Sequence, residues 1–167
     1  YSMGGQTASE DTLHIDMRQL NAVVALDTEN KRVNVQAGIT WRKIQEAIDE
    51  HNLALSIMQS YSNFTVGGSL SVNVHGRYIG AGPIISSVES IRVVLANGEL
   101  VEASRVTNPQ LFYACIGGYG GIGVIVEATL RLEENTKVKR DLQRVPLGKY
   151  RQHFSEHIRD DRSIVFQ

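Results

Sequence analysis

The chain predicts an α+β fold, a mainly antiparallel sheet flanked by helices, and three observations lead there. Two hairpin patterns are present. Residues 22–26 and 32–37 surround the polar turn DTENK, and residues 90–95 and 100–103 surround Asn97-Gly98, a dipeptide suited to the positive φ angles of a two-residue hairpin turn. Residues 124–132 alternate as a long strand. Helical periodicity occurs between strands without a strand–helix–strand repeat, which argues for antiparallel pairing.

Taken in order, residues 13–16 alternate weakly and are expected in a strand, and Gly38 closes the first hairpin. Thr40 is placed as an N-cap, after which Trp41, Ile44, Ala47, Ile48 and His51 recur at helical spacing while Arg42, Lys43, Glu46, Asp49 and Glu50 face away. Asn108-Pro109 carries the N-cap and first-turn proline of a helix reaching about Cys115. After the long strand, residues 138–145 alternate as another, and residues 147–158 read as a helix with a buried stripe of Leu147, Tyr150, Phe154 and Ile158. The polar stretch EENTK at 133–137 is the expected boundary between a domain at 1–134, lacking its N-terminal part, and the start of a second at 135–167. The loop-like opening YSMGGQ and the strand-like ending SIVFQ lead us to expect a fragment of a longer protein, truncated at both ends.

Composition narrows the partners. The 167 residues carry a net charge of −1 with both signs interspersed, so no basic footprint for nucleic acid or an anionic membrane stands out. Cys115 is the single cysteine, which excludes an internal disulfide framework and a cysteine-rich metal site. No apolar run reaches the ~20 residues of a bilayer span. The expectation is a soluble, cytoplasmic chain acting on a small molecule, with no nucleic acid and no membrane insertion; the oligomeric state is not legible.

Glycine loops carry the chemistry. Segment 61–76, YSNFTVGGSLSVNVHG, combines paired glycines with short hydroxyl and amide side chains and one imidazole. Such backbone can approach a ligand closely and offer N–H groups to anionic oxygens. GGYGGIG at 117–123 and Met3-Gly4-Gly5-Gln6 are further clusters, and three such loops suggest a large dinucleotide held at several points. Residues 118–123 spell G-x-G-x-x-G, but a helix precedes them and a strand follows, the reverse of the nicotinamide fingerprint. They are either a turn joining helix to strand or a backbone wall for a flat ligand. HFSEH at 153–157 matches the spelling of one zinc peptidase class, but the histidines fall on the margin of the expected stripe, and no metal is assigned.

The ordered succession SMGGQ at 2–6, VQAG at 35–38 with the Trp41 helix, TVGGSLSVNVHG at 65–76, the Asn97-Gly98 hairpin, NPQLF at 108–112 and residues 117–126 resembles the FAD-binding (PCMH-type) domain of the vanillyl-alcohol oxidase and p-cresol methylhydroxylase superfamily. Within it the chain is most similar to sugar, alditol and aldonolactone oxidases and to decaprenylphosphoryl-ribose oxidases. The resemblance implies a two-lobed cradle for FAD. It places Tyr1, Ser2, Met3, Gly4, Gly5 and Gln6 at the tail of the pyrophosphate loop. Ser60, Thr65, Val66, Gly67, Gly68, Val72, Asn73, Val74 and His75 would follow the flavin and phosphates, and Gly123, Val124 and Ile125 would contact the cofactor through their backbone.

A short helix starting at Gly67-Gly68 would add a favourable dipole for phosphate, and Thr65, Ser69, Ser71 and Asn73 offer hydrogen-bonding groups. His75 either donates to the flavin O2 edge, favouring the anionic reduced form, or pins its loop by a hydrogen bond. Many relatives attach the flavin to a histidine directly before the serine of the first loop, where this chain has Tyr1, and double-linked relatives carry a cysteine near Tyr61, where this chain has none. Non-covalent FAD is therefore expected. The resemblance implies oxidation of a CH–OH group of a sugar, polyol or lactone, with hydride passing to flavin N5, in a protein whose catalytic base lies in a later domain. No catalytic residue is assigned here, and the fragment alone is expected to be inactive. The alternatives are a nicotinamide-dependent flavin reductase of the same fold and a non-catalytic binding module on the flavoprotein scaffold.

Overall fold

The computed structural model of the protein describes residues 9–161. Strands β1 (Val23–Asp27), β2 (Arg32–Gln36), β3 (Leu53–Leu55), β4 (Val88–Val94), β5 (Leu100–Ser104) and β6 (Val124–Glu134) form a six-stranded sheet in the order β1-β2-β6-β4-β5, with β3 pairing the far end of β6. Every pairing is antiparallel. The α+β expectation holds, and both hairpins stand where the turn signals put them.

Period-2 patterning gives the sheet two unlike faces. In β2, Val33 and Val35 are buried while Arg32, Asn34 and Gln36 lie on the other side. Strict alternation would send Ile125 and Ala128 of β6 to opposite faces, yet both are buried. A bulge resolves this: Arg92 pairs with Glu127 and Val93 with Ile125, so Val126 is the extra residue. Its carbonyl accepts the N–H of Ala37 at 2.8 Å, which carries the chain beyond β2 towards the helices.

Helices α1 (Trp41–Asp49), α2 (Val66–Ser71) and α3 (Pro109–Cys115) bury Trp41, Ile44 and Ile48, Val66 and Leu70, and Phe112 and Cys115 in one core with the inward sheet residues. Each buried aliphatic side chain contributes about 1.5–3 kcal/mol. The opposite sheet face is polar: Arg92 pairs with Glu127 at 3.1 Å, Arg32 with Glu89 at 2.8 Å, and Asn34 Nδ2 donates to Thr129 Oγ1 at 3.0 Å. Asn34 Oδ1 is buried without a partner among the described residues.

Several local expectations are corrected. Residues 13–16 form no strand; the Asp16 carboxylate accepts the Arg18 N–H and caps a 3₁₀ turn at Met17–Gln19, leaving Leu13 exposed. Asn108 sits at φ 48 and makes no side-chain cap; its amide donates instead to the Glu102 carbonyl at 2.8 Å, so the turn before α3 is held by β5. Residues 138–145 have no regular structure, because their alternation meets no strand to pair with among the described residues. Helix α4 (Leu147–His157) forms but buries nothing: Leu147 is 90% exposed and Tyr150 40%. The expected stripe presumed a core that the described residues do not place against it. β3 was not anticipated, although Asn52, at φ 56, marks the end of α1 and is followed by the apolar run Leu53-Ala54-Leu55.

Candidate cofactor-binding site

The loop leading into α2 is laid against the start of α1. Thr40 and Thr65 form a β-bridge, the Trp41 N–H donates to the Phe64 carbonyl at 3.1 Å, and the Arg42 N–H donates to the Ser62 carbonyl at 2.7 Å. Both helices have N-cap threonines in extended conformation: Thr40 accepts from Lys43 and Thr65 from Gly68. The indole N–H of fully buried Trp41 donates to Ser69 Oγ at 2.9 Å and ties the helices together.

These contacts change the reading of the paired glycines. The Val66 N–H donates to the Ile39 carbonyl at 2.9 Å, Gly67 to Ala37 at 2.7 Å and Gly68 to Thr65 Oγ1 at 3.4 Å. The donors at the start of this six-residue helix are thus engaged inside the protein, not left for an anion. Gly67 is small because α2 packs on the end of β2: a Cβ there would stand 2.9 Å from the Ala37 Cβ and 3.1 Å from its carbonyl oxygen. Ser69 is likewise committed to Trp41.

The structure brings the two described glycine loops together. The Gly117 N–H donates to the Leu70 carbonyl and the Tyr119 N–H to the Ser71 carbonyl, each at 2.9 Å, so the 117–123 turn caps the C-terminal end of α2. Gly117 has φ +87, and a Cβ on Gly118 would lie 2.1 Å from the Ala114 carbonyl oxygen. These two glycines therefore serve the turn itself, as does Gly120 at φ +77, although nothing stands within 4 Å of a Cβ built there. Val124 opens β6 opposite Val94, and Ile125 points into the core at 6% exposure, which leaves only its main chain for a ligand.

Beyond α2 the chain turns sharply. Val72 is the half-buried C-cap, Asn73 takes φ 47 and accepts the Ile85 N–H on Oδ1 at 3.3 Å, and buried Val74 accepts the Ile84 N–H at 2.7 Å. His75 is exposed and bridges to Pro83. Its Nδ1 lies 2.9 Å from the Gly76 carbonyl and donates there, which pins the loop and leaves Nε2 for any ligand. Ser60 lies across from this segment and accepts a hydrogen bond from Arg77 Nε, a residue the sequence reading passed over although it directly follows His75-Gly76. Tyr1, Ser2, Met3, Gly4, Gly5 and Gln6 lie outside the described residues. The rings of His153 and His157 stand 4.9 Å apart on α4, and no group of three or more metal-binding side chains occurs among the described residues.

The 117–123 glycine turn is thus seated on the end of a short helix that is itself followed by a polar, sharply turned loop. The FAD binding domain family matches residues 1–104, and the chain belongs to that family, within the vanillyl-alcohol oxidase and p-cresol methylhydroxylase superfamily. Its cofactor is FAD. The chain is 34% identical to L-gulonolactone oxidase of Bos taurus over 132 residues, 77% of this chain and 30% of the relative. It is 35% identical to L-galactono-1,4-lactone dehydrogenase 1, mitochondrial, of Oryza sativa subsp. japonica over 120 residues, 72% of this chain and 21% of the relative. It is 30% identical to cytokinin dehydrogenase 2 of Arabidopsis thaliana over 138 residues, 82% of this chain and 27% of the relative. The chain thus spans between a fifth and a third of these curated relatives.

Among the described residues, the polar groups left open to FAD are side chains, since the N–H donors at the start of α2 are engaged inside the protein. Ser71 Oγ, Asn73 Nδ2 and His75 Nε2 engage no partner among the described residues, and all three belong to the turn that the glycine loop meets.

Proposed function

We propose that the whole protein oxidises a CH–OH group of a sugar, polyol or lactone, with this chain supplying part of the cofactor cradle. The meeting of the 117–123 turn with the end of α2 carries the reading, because it joins two separate loops of the family's cofactor-binding pattern at one place. Bound FAD would supply the hydride acceptor at N5.

The chain's own residues have positioning roles. Ser71, Asn73 and His75 would hydrogen-bond the cofactor's polar atoms, the backbone of Gly123, Val124 and Ile125 would line it, and the Trp41–Ser69 bond would keep α2 in register beneath it. His75, held through Nδ1, would present Nε2, a donor only when the ring is protonated. Two of the relatives are named for gulonolactone and galactono-1,4-lactone, which supports a lactone or sugar donor. FAD is proposed to be held without a covalent bond, since Tyr1 stands where many relatives have the linking histidine. The domain is proposed to end near residue 134, where β6 stops, and the segment beyond to begin the substrate domain.

The test is anaerobic titration of the purified full-length protein with L-gulono-1,4-lactone and L-galactono-1,4-lactone, followed by flavin absorbance. Bleaching at stoichiometric lactone and release of free FAD on acid precipitation are expected. A protein that takes up no flavin on reconstitution would defeat the proposal.

A further inference from the structure

A cleft lies between residues 55–60 and 76–81, lined by Ser60 of the expected cofactor set and by apolar side chains outside that set. Its volume is about 160 Å³, close to the ~150 Å³ of a dry cavity that accepts benzene. The walls are mainly hydrocarbon, from Leu55, Ile57, Met58, Tyr78 and Ala81. The two segments pack closely at Gly76, where a Cβ would stand 2.8 Å from the Met58 carbonyl oxygen, and the cleft beside them opens to solvent.

Arg77 and Ser60 line the same cleft, and both are exposed. Arg77 donates Nε to Ser60 Oγ, which holds the guanidinium in place. Among the described residues it pairs with no carboxylate, which is true also of Arg42, Arg105, Arg131, Arg140, Arg144 and Arg151; what sets Arg77 apart is its tether to Ser60 beside the apolar slot. The remaining N–H donors form a planar fork suited to a two-point grip on a carboxylate or phosphate. A tethered cation without a counter-ion, beside an apolar slot of ring size, is complementary to a ring that bears an oxyanion.

We propose that this cleft recognises the substrate's ring-sized body and that Arg77 selects substrates carrying a carboxylate or phosphate on it. The inference names the substrate class of the site proposed above and rests on that reading.

Calorimetric titration of the full-length, FAD-loaded protein with benzoate, phenyl phosphate and benzamide tests it. At least one oxyanion should bind tenfold or more tighter than the neutral amide, and the better of the two identifies the group. Arg77→Gln should bring the three within twofold of one another at unchanged far-UV circular dichroism. Arg77→Lys, which keeps the charge but not the fork, should retain part of the preference. Ala81→Leu, which fills the slot, should weaken all three. Equal binding of benzoate, phenyl phosphate and benzamide, or a preference that survives in Arg77→Gln, would overturn the proposal. A tenfold loss of FAD affinity in Arg77→Gln with oxyanion binding intact would assign the arginine to the cofactor's own pyrophosphate instead. A protein bleached by lactone yet indifferent to both oxyanions removes this inference alone, and one that binds benzoate but never holds flavin removes the oxidase reading alone.

Discussion

Replacing Gly67 by alanine separates two reasons for a glycine at the cradle. If the glycine lets a ligand come close, the added methyl should leave the cofactor-free protein untouched and obstruct FAD. The geometry says otherwise: the new Cβ meets the Ala37 Cβ at 2.9 Å and the Ala37 carbonyl oxygen at 3.1 Å, closer than carbon atoms ordinarily approach. Neither atom can swing away, because Ala37 Cβ is fixed to the main chain and its carbonyl accepts the Gly67 N–H at 2.7 Å. Relief requires α2 to move off the end of β2, which stretches that bond. Overpacking costs about 1–3 kcal/mol, offset by the roughly 0.4–1 kcal/mol that alanine gains by restricting the unfolded chain. The net expectation is a loss of about 0.5–2 kcal/mol, or a fall of roughly 1–8 °C in Tm for a chain of this size. Urea unfolding of the cofactor-free protein, followed by the fluorescence of its single tryptophan, measures it. Wild-type stability, within about 0.5 kcal/mol, together with lost FAD binding would refute the packing account.

Ser69→Ala should leave the buried Trp41 indole N–H without a partner and cost about 1–3 kcal/mol. Combined with Trp41→Phe it should cost less than the sum of the single changes, by about 0.5 kcal/mol or more, a double-mutant cycle read by urea denaturation. Cys115 is buried, and burial pushes its thiol above its usual value, so the protonated form is favoured at neutral pH. A thiol reagent should therefore modify the native protein slowly and the urea-unfolded protein promptly, as timed by the absorbance of the released chromophore.

The sheet was legible where a signal was local. Asn97-Gly98 and the 27–31 turn set two hairpins, and Thr40 with the Trp41 periodicity set α1, because hydrophobic period and turn chemistry act within a few residues. Signals that depend on a distant partner failed. The alternation at 138–145 and the stripe on α4 are genuine patterns, but a strand needs a neighbour and a stripe needs a core, and the described residues provide neither. Asn108 shows the same limit on a smaller scale: at φ 48 it makes no side-chain cap, and its amide donates to the Glu102 carbonyl of β5.

The site follows this rule, with one consequence for its chemistry. Glycine composition located the loops, yet composition does not say where backbone donors go, and in α2 they go to Ala37, Ile39 and Thr65. Pairings such as Gly67 to Ala37 and Tyr119 to Ser71, far apart in sequence, join local ones such as Gly68 to Thr65 in deciding which polar groups remain for a ligand. Those groups are side chains at the end of α2 and on the turn after it, Ser71, Asn73 and His75, together with the Arg77 fork beyond them. The proposed cofactor recognition in this part of the cradle is therefore expected to depend on side-chain identity more than on bare main chain. Substitution of His75 should for that reason weaken FAD binding with little change in folding, whereas substitution of Gly67 should do the reverse and substitution of Asn73, which holds the Ile85 N–H from a left-handed backbone, should do both.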